Sequence, residues 1–375
     1  MTAPLPPFDP LGLPAPGLLV LALAYLTLTL HLCAMGFTVG SGVLLLGALV
    51  RRRPADAGLA RFLGGGLPLG FSYLVTFGVP PLLFLQVVYG QFFYSSSVLV
   101  GAFWIAVIPL LITGYGAAYL HKLTRERRPG PQRLVVGVVL ACVLAIGFIY
   151  VNNLTLALTP ERWLDAYRAS PGGGALNLRE PTVPWRYLLF LAPGLGVAGL
   201  ALIMRGAVLG GWGRDEEGRA SRAFGAKALG ASAVLVAAGA AGVVATLPRS
   251  VGAILRAGGP ATLLAAGAAA LGALAVVLGW RARGATRLRV PVLASVSLFG
   301  AMACLVVVRD LVRMEYLRPH FDLGRVAVHA QWGMFAIFAV SLVAGLALLI
   351  GLAVKVVPRI AVARRAELEA AAPRG

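Results

Sequence analysis

Nine apolar runs, each long enough to cross a bilayer as a helix, follow one another along the 375 residues with short polar connections between them. They lie near residues 17–49, 60–89, 93–120, 133–156, 186–204, 228–247, 261–280, 290–311 and 327–354. Few folds are open to such a chain, because backbone N–H and C=O groups in hydrocarbon must pair within their own segment. The expected fold class is all-α, a polytopic transmembrane helical bundle of about nine spans. No connection is long enough for an independent soluble domain. Residues 1–358 therefore read as one bundle, and 359–375, rich in Ala, Arg and Glu, as a solvated cytoplasmic tail. The first, second and last runs exceed a bilayer's thickness and are expected to tilt, kink or extend beyond it.

Charge sets the orientation. Only 13% of residues are charged, where soluble domains carry about a quarter. The excess of 33 Lys and Arg over 14 Asp and Glu would suit nucleic acid if it covered one surface. It falls instead in short clusters between apolar runs, the pattern of loops that set topology, so no nucleic-acid partner is expected. Of the 33, 23 lie in the connections after runs one, three, five and seven and in the tail, and 10 in the alternate ones. That bias places the N-terminus outside and the C-terminus in the cytoplasm, as in a bacterial-type inner membrane. The first basic residue is Arg51, so the opening run lacks the positive start of a cleavable signal and reads as a retained span. Cys33, Cys142 and Cys304 lie in apolar runs without CxxC spacing, which indicates neither a disulfide framework nor a zinc site. The sequence has no P-loop, nucleophile elbow, HExxH or CxxCH motif, so most enzyme classes lose their local signatures.

Few residues remain that could carry chemistry. His31 sits deep in the first run, flanked by Thr27, Thr29, Met35 and Thr38, and reads as the only histidine deep in a span. A neutral imidazole in lipid needs a partner, either a haem iron or a hydrogen bond to another helix. At the outer end of run eight, Arg309 and Arg313 are four apart and share a helix face, with Asp310 and Glu315 near enough to pair and Tyr316 beside them. Basic residues on that side oppose the general bias. They suit a quinone carbonyl, a haem propionate or a partner's acidic surface, or else an ordinary interfacial helix end. No charged residue needs to lie at mid-membrane, which weighs against an ion pump. Pro80 and Pro81 should kink run two near its outer half, just before Gln86, Tyr89, Gln91 and Tyr94. Trp163, Leu164 and Tyr167 share one face of a short helix suited to the headgroup region. The Ala- and Gly-rich stretches Ala237 to Gly242 and Ala265 to Gly272 should let runs six and seven pack closely.

Leu28-Thr-Leu-His31 followed by Phe37-Thr-Val-Gly-Ser-Gly-Val-Leu-Leu-Leu46 resembles the first span of cytochrome bd quinol oxidase subunit I, where a histidine ligates haem. Asn152-Asn153 and Pro184-Trp-Arg-Tyr-Leu-Leu189 are similar to that family's passage from an outer loop into a span with a second haem histidine. Leu189 stands at the position of that second histidine, glutamates are absent from residues 60–120, and the connection after run six is only about a dozen residues. The resemblance implies a divergent membrane subunit that binds one haem or quinone, or that has lost its redox centres and supports a partner.

The function expected is that of an inner-membrane subunit of a respiratory-type electron-transfer complex. His31 is the candidate haem-iron ligand, with Arg309, Arg313 and Tyr316 as contacts for quinone or a partner. Its surroundings would be membrane lipid and other membrane or cytochrome subunits. The alternatives are a small-solute transporter or channel running beside the Pro80 and Pro81 kink, and a cofactor-free scaffold.

Overall fold

The computed structural model describes residues 5–53, 56–284 and 287–370. Its helices are α1 (Gly17–Arg51), α2 (Ala57–Leu99), α3 (Gly101–Thr124), α4 (Gln132–Leu156), the short α5 (Trp163–Ala169), α6 (Val183–Leu191), α7 (Pro193–Gly211), α8 (Asp215–Thr246), the one-turn α9 (Arg249–Gly252), α10 (Pro260–Arg281), α11 (Arg289–Leu317) and α12 (Trp332–Ala370). Among the described residues, nine helices or helix pairs are long and apolar enough to cross a membrane, with α6 and α7 together forming the fifth. Each corresponds to one of the nine apolar runs. Leucine, isoleucine and valine side chains stand exposed along these helices, a surface suited to lipid and prone to aggregate in water.

α1 is the hub of the bundle and packs on α2, α4, α7 and α11. The central core joins Leu45 of α1, Leu63, Leu67 and Phe71 of α2, Ala118 of α3, Val136 of α4 and Leu202 of α7. α7 lies very close to α8 because glycine faces glycine. A methyl group added at Gly199 would fall 2.6 Å from the Gly225 carbonyl oxygen, and one at Gly218 would fall 2.7 Å from that of Gly206. The same alternate connections that share the basic residues gather at one end of the bundle. There Arg125 donates to the Arg61 carbonyl at 2.8 Å, Arg51 lies over the Phe224 ring, Glu217 pairs with both Arg205 and Arg214, and Arg222 reaches the Arg283 carbonyl. This is the basic end of the bundle, and the opposite one is the far end.

Several boundaries differ from the sequence reading, each for a local reason. The break expected near residues 90–92 is present as a kink at Tyr89, and helix resumes beyond it to Leu99, where Ser95, Ser96 and Ser97 turn their hydroxyls onto the carbonyls of Gln91 and Phe93. α8 begins thirteen residues before run six, since Glu217 and Arg222 find partners at the basic end. The last span starts at Trp332 rather than 327. Residues there are drawn off into a parallel β-bridge between Leu13 and Val328, with Leu13 N–H donating to the Ala327 carbonyl at 2.8 Å and His329 N–H to that of Leu13 at 2.9 Å. Gly12, at φ +67°, makes this approach possible, because a Cβ there would collide with the Ala327 oxygen. α12 runs helical through Ala370, so most of the expected tail is helix, and residues 371–375 lie outside the described residues.

Close packing of the small-residue stretches is realised only in part. Gly239 and Gly242 of α8 accept Leu189 and Trp185 of α6, whereas Gly267 and Gly272 of α10 have nothing within 4 Å of an added methyl. Trp163 is also placed differently. It is buried and donates its indole N–H to the Leu156 carbonyl at 2.9 Å, leaving Tyr167 exposed as the interfacial residue of α5.

Candidate functional site

Asp310 and Arg313 lie about two turns and one turn inside the far end of α11, and both point into the bundle, with 3% and 9% exposure. Arg313 donates Nη1–H to Asp310 Oδ1 at 2.9 Å. The second carboxylate oxygen accepts from the Tyr25 hydroxyl of α1 at 2.8 Å and the Tyr89 hydroxyl of α2 at 3.2 Å. Three helices thus meet on one carboxylate. Tyr89 is also the residue inside α2 whose backbone leaves helical geometry, at φ −127° and ψ 28°. Backbone dihedrals stay helical at Pro80 and Pro81 and leave helical values two turns later, where the Tyr89 ring turns under Arg313 with its centroid 4.7 Å from the guanidinium carbon.

Cations outnumber anions around this network. Arg186 of α6 donates Nε–H to the Thr182 hydroxyl at 2.9 Å and lies over the Tyr316 ring, 5.5 Å from its centroid. Arg186 Nη2 and the Tyr316 hydroxyl are both buried and have no hydrogen-bond partner among the described residues. Arg309 is half-buried and has no carboxylate within 4.0 Å among them. Glu180, also buried, is occupied by Arg162 at 3.3 Å and by the Thr182 hydroxyl at 3.0 Å. With that pair set aside, Arg186, Arg309 and Arg313 face the single carboxylate of Asp310. Rings close one side, where Phe321 packs edge-on against Tyr89 and Phe92.

Arg309, Arg313 and Tyr316 therefore share one end of α11 as their spacing predicts, and partners distant in sequence complete the group. His31 is not among them. It lies six residues beyond Tyr25 on α1, about 9 Å along the axis and turned a third of the way round, facing α2. Its Nδ1 lies 3.1 Å from the Leu74 carbonyl, and since a carbonyl only accepts, Nδ1 carries the proton. Nε2 has no hydrogen-bond partner among the described residues. Gly78 backs the ring, at 3.1 Å from an added methyl. The flanking threonines offer nothing to it, because the Thr27, Thr29 and Thr38 hydroxyls donate to carbonyls of α1 itself.

A second histidine is enclosed by the protein without lying deep in a span. His121, near the end of α3, is only 2% exposed, more buried than His31, because Gly64 leaves room for its ring and Gln132 accepts from its Nδ1 at 2.7 Å. Of the polar residues after the proline pair, only Tyr89 joins the cluster; Gln86 and Gln91 are half-buried and Tyr94 is exposed. Leu189 packs against Gly239 of α8. Tyr25, Arg186 and Glu180 were not singled out as candidates, and Glu180 and Arg186 carry the one local hint, charge on the less basic side of the chain. His31 lines neither the cavity between α7, α8, α10 and α11 nor the one at the basic end. No family model matches the chain, and no curated protein matches it.

Proposed function

We propose that this chain is an integral subunit of a respiratory-type electron-transfer complex in a bacterial-type inner membrane, N-terminus outside, and that it holds a quinone headgroup at the far end of α11. The observation that carries this reading is a set of donors without acceptors: the Arg309 guanidinium, Arg186 Nη2 and the Tyr316 hydroxyl. A quinone brings two carbonyl acceptors on an apolar ring and tail, which matches buried donors in a lipid-facing bundle. The excess positive charge would stabilise negative charge developing on those oxygens during reduction. Asp310, with both oxygens engaged, serves to hold Arg313 and the two tyrosines in place.

A b-type haem on His31 is the companion proposal. In its favour is the tautomer, since an Nδ1–H bonded to a carbonyl presents Nε2 as an unprotonated ligand in a fixed orientation. Haem would supply one-electron chemistry, and the protein's share is to fix the ring through Leu74 and Gly78. The resemblance of Leu28 to Leu46 to cytochrome bd quinol oxidase subunit I points the same way. With one such nitrogen at mid-bundle, partner cytochrome or other membrane subunits belong to the proposal. A transporter is the second reading, favoured by the break in α2 beside buried charge, the arrangement in which transporters hold substrates.

The test is a titration of the purified protein with a quinone analogue, read by tryptophan fluorescence. Saturable quenching that Arg309→Gln weakens by about tenfold or more is expected. A dithionite-reduced spectrum should show b-type bands that His31→Ala removes. Neither signal, with cytochrome subunits co-purifying, would identify a cofactor-free scaffold instead. Solute flux in proteoliposomes would support the transporter.

A further inference from the structure

At the basic end, the last turn of α1 with Arg52 and Arg53, the first turn of α2 and residues 129–133 line an open cavity of about 520 Å³. Its rim carries Arg52, Arg53 and Arg133, and its floor is apolar, with Ala48, Leu49 and Ala60. Asp56 also lines it, but this carboxylate is taken by Arg51 at 3.2 Å. Among the described residues, no carboxylate lies within 4.0 Å of Arg52, Arg53 or Arg133. Three arginines therefore line a space of small-ligand size, roughly 300–1,000 Å³, with no carboxylate within 4.0 Å of them among the described residues.

Arg52 adds an independent observation. It ends α1 with its N–H donating to the Ala48 carbonyl at 3.1 Å, and its φ is +52°, the one positive value at a non-glycine among the described residues. This helix-ending conformation favours glycine, because a Cβ crowds the backbone there. An arginine held at that cost, on the rim of a cavity, points to a task for the guanidinium beyond ending the helix.

We propose that this cavity binds the phosphate of an anionic phospholipid. Arg52, Arg53 and Arg133 take the phosphate oxygens, and Ala48, Leu49 and Ala60 take the glycerol and first methylenes. Guanidiniums match phosphate oxygens in pairs, and basic pockets between spanning helices suit anionic headgroups. A free phosphate shares the charge but would leave the apolar floor uncovered. The site lies at the opposite end of the bundle from the quinone proposal, and neither depends on the other.

The experiment is native mass spectrometry of the full chain in detergent, titrated with phosphatidylglycerol and with phosphatidylcholine. Phosphatidylglycerol should be retained about tenfold better or more, and Arg52→Gly combined with Arg133→Gln should bring it down to the phosphatidylcholine level. Glycine suits the backbone at 52, so this variant should melt no lower than the parent when lipid is absent. Arg168→Gln, exposed at the far end, should leave the preference intact. Equal retention of the two lipids, or a preference that survives the double substitution, would overturn the proposal. Displacement of the lipid by millimolar inorganic phosphate would overturn the lipid assignment in favour of a soluble phosphate.

Discussion

Both ends of the bundle bury arginine, and they answer it to different degrees. At the basic end, Arg222 is 2% exposed, donates Nε–H to the Arg283 carbonyl at 2.9 Å and Nη1–H to the Gly206 carbonyl, and so ties α8 to the chain after α10 and to α7. Nearby, Glu217 answers Arg205 and Arg214 together, with Arg205 Nη1 the one guanidinium nitrogen there that is buried without a partner among the described residues. At the far end, Asp310 and Arg313 satisfy each other, while Arg186, Arg309 and Tyr316 retain donors with nothing to accept them. A buried cation with its donors matched works as a staple. A group whose donors outnumber its acceptors is incomplete without a ligand, since desolvation of an unpaired polar group is costly. On the function proposed above, matched donors mark places where helices are tied and unmatched ones mark a place for a ligand.

The largest effect should come from Asp310→Ala, which leaves Arg313 uncompensated and two tyrosine hydroxyls without their acceptor. A loss of about 3–5 kcal/mol is expected, read as a lower thermal midpoint in detergent or a failure to accumulate folded protein. Arg222→Met should cost about 1–3 kcal/mol by stranding two carbonyls, with quinone-analogue binding unchanged. Lost binding at parental stability would break the distinction between the two ends. Tyr25→Phe removes one of three bonds to Asp310 and should lower stability by about 1 kcal/mol in the same melting assay. The smallest change in stability, under about 0.5 kcal/mol, is expected for Arg309→Gln, because no protein carboxylate loses a partner. That variant should nevertheless lose analogue binding, which makes it the sharpest discriminator of the set.

The helices were legible because length and apolarity are properties of a single stretch of chain. The gap expected after residue 89 coincides with the kink at Tyr89, but the helix resumes beyond it instead of ending. Gln91 to Ser97 is polar in composition, yet its serines satisfy themselves on the preceding turn and need no water. At the candidate site, Arg309 and Arg313 announced themselves through four-residue spacing on the less basic side. Tyr25 and Arg186 did not, because a bond from Tyr25 to Asp310 spans 285 residues and leaves no periodic trace. Backbone dihedrals leave helical values at Tyr89, beyond the proline pair, where contacts with Asp310 and Arg313 hold the residue.

The bridge between Leu13 and Val328 has a consequence for biogenesis. Its two halves are made some 315 residues apart, so the first cannot find the second until eight spans have emerged between them. At synthesis rates of roughly 5–20 residues per second, that wait is about 15–60 s. For that time the segment before α1 has no closing partner. The bundle is therefore fastened from its last loop back to its first, and a chaperone or insertase acting on the far face would meet an open clasp until synthesis is nearly done.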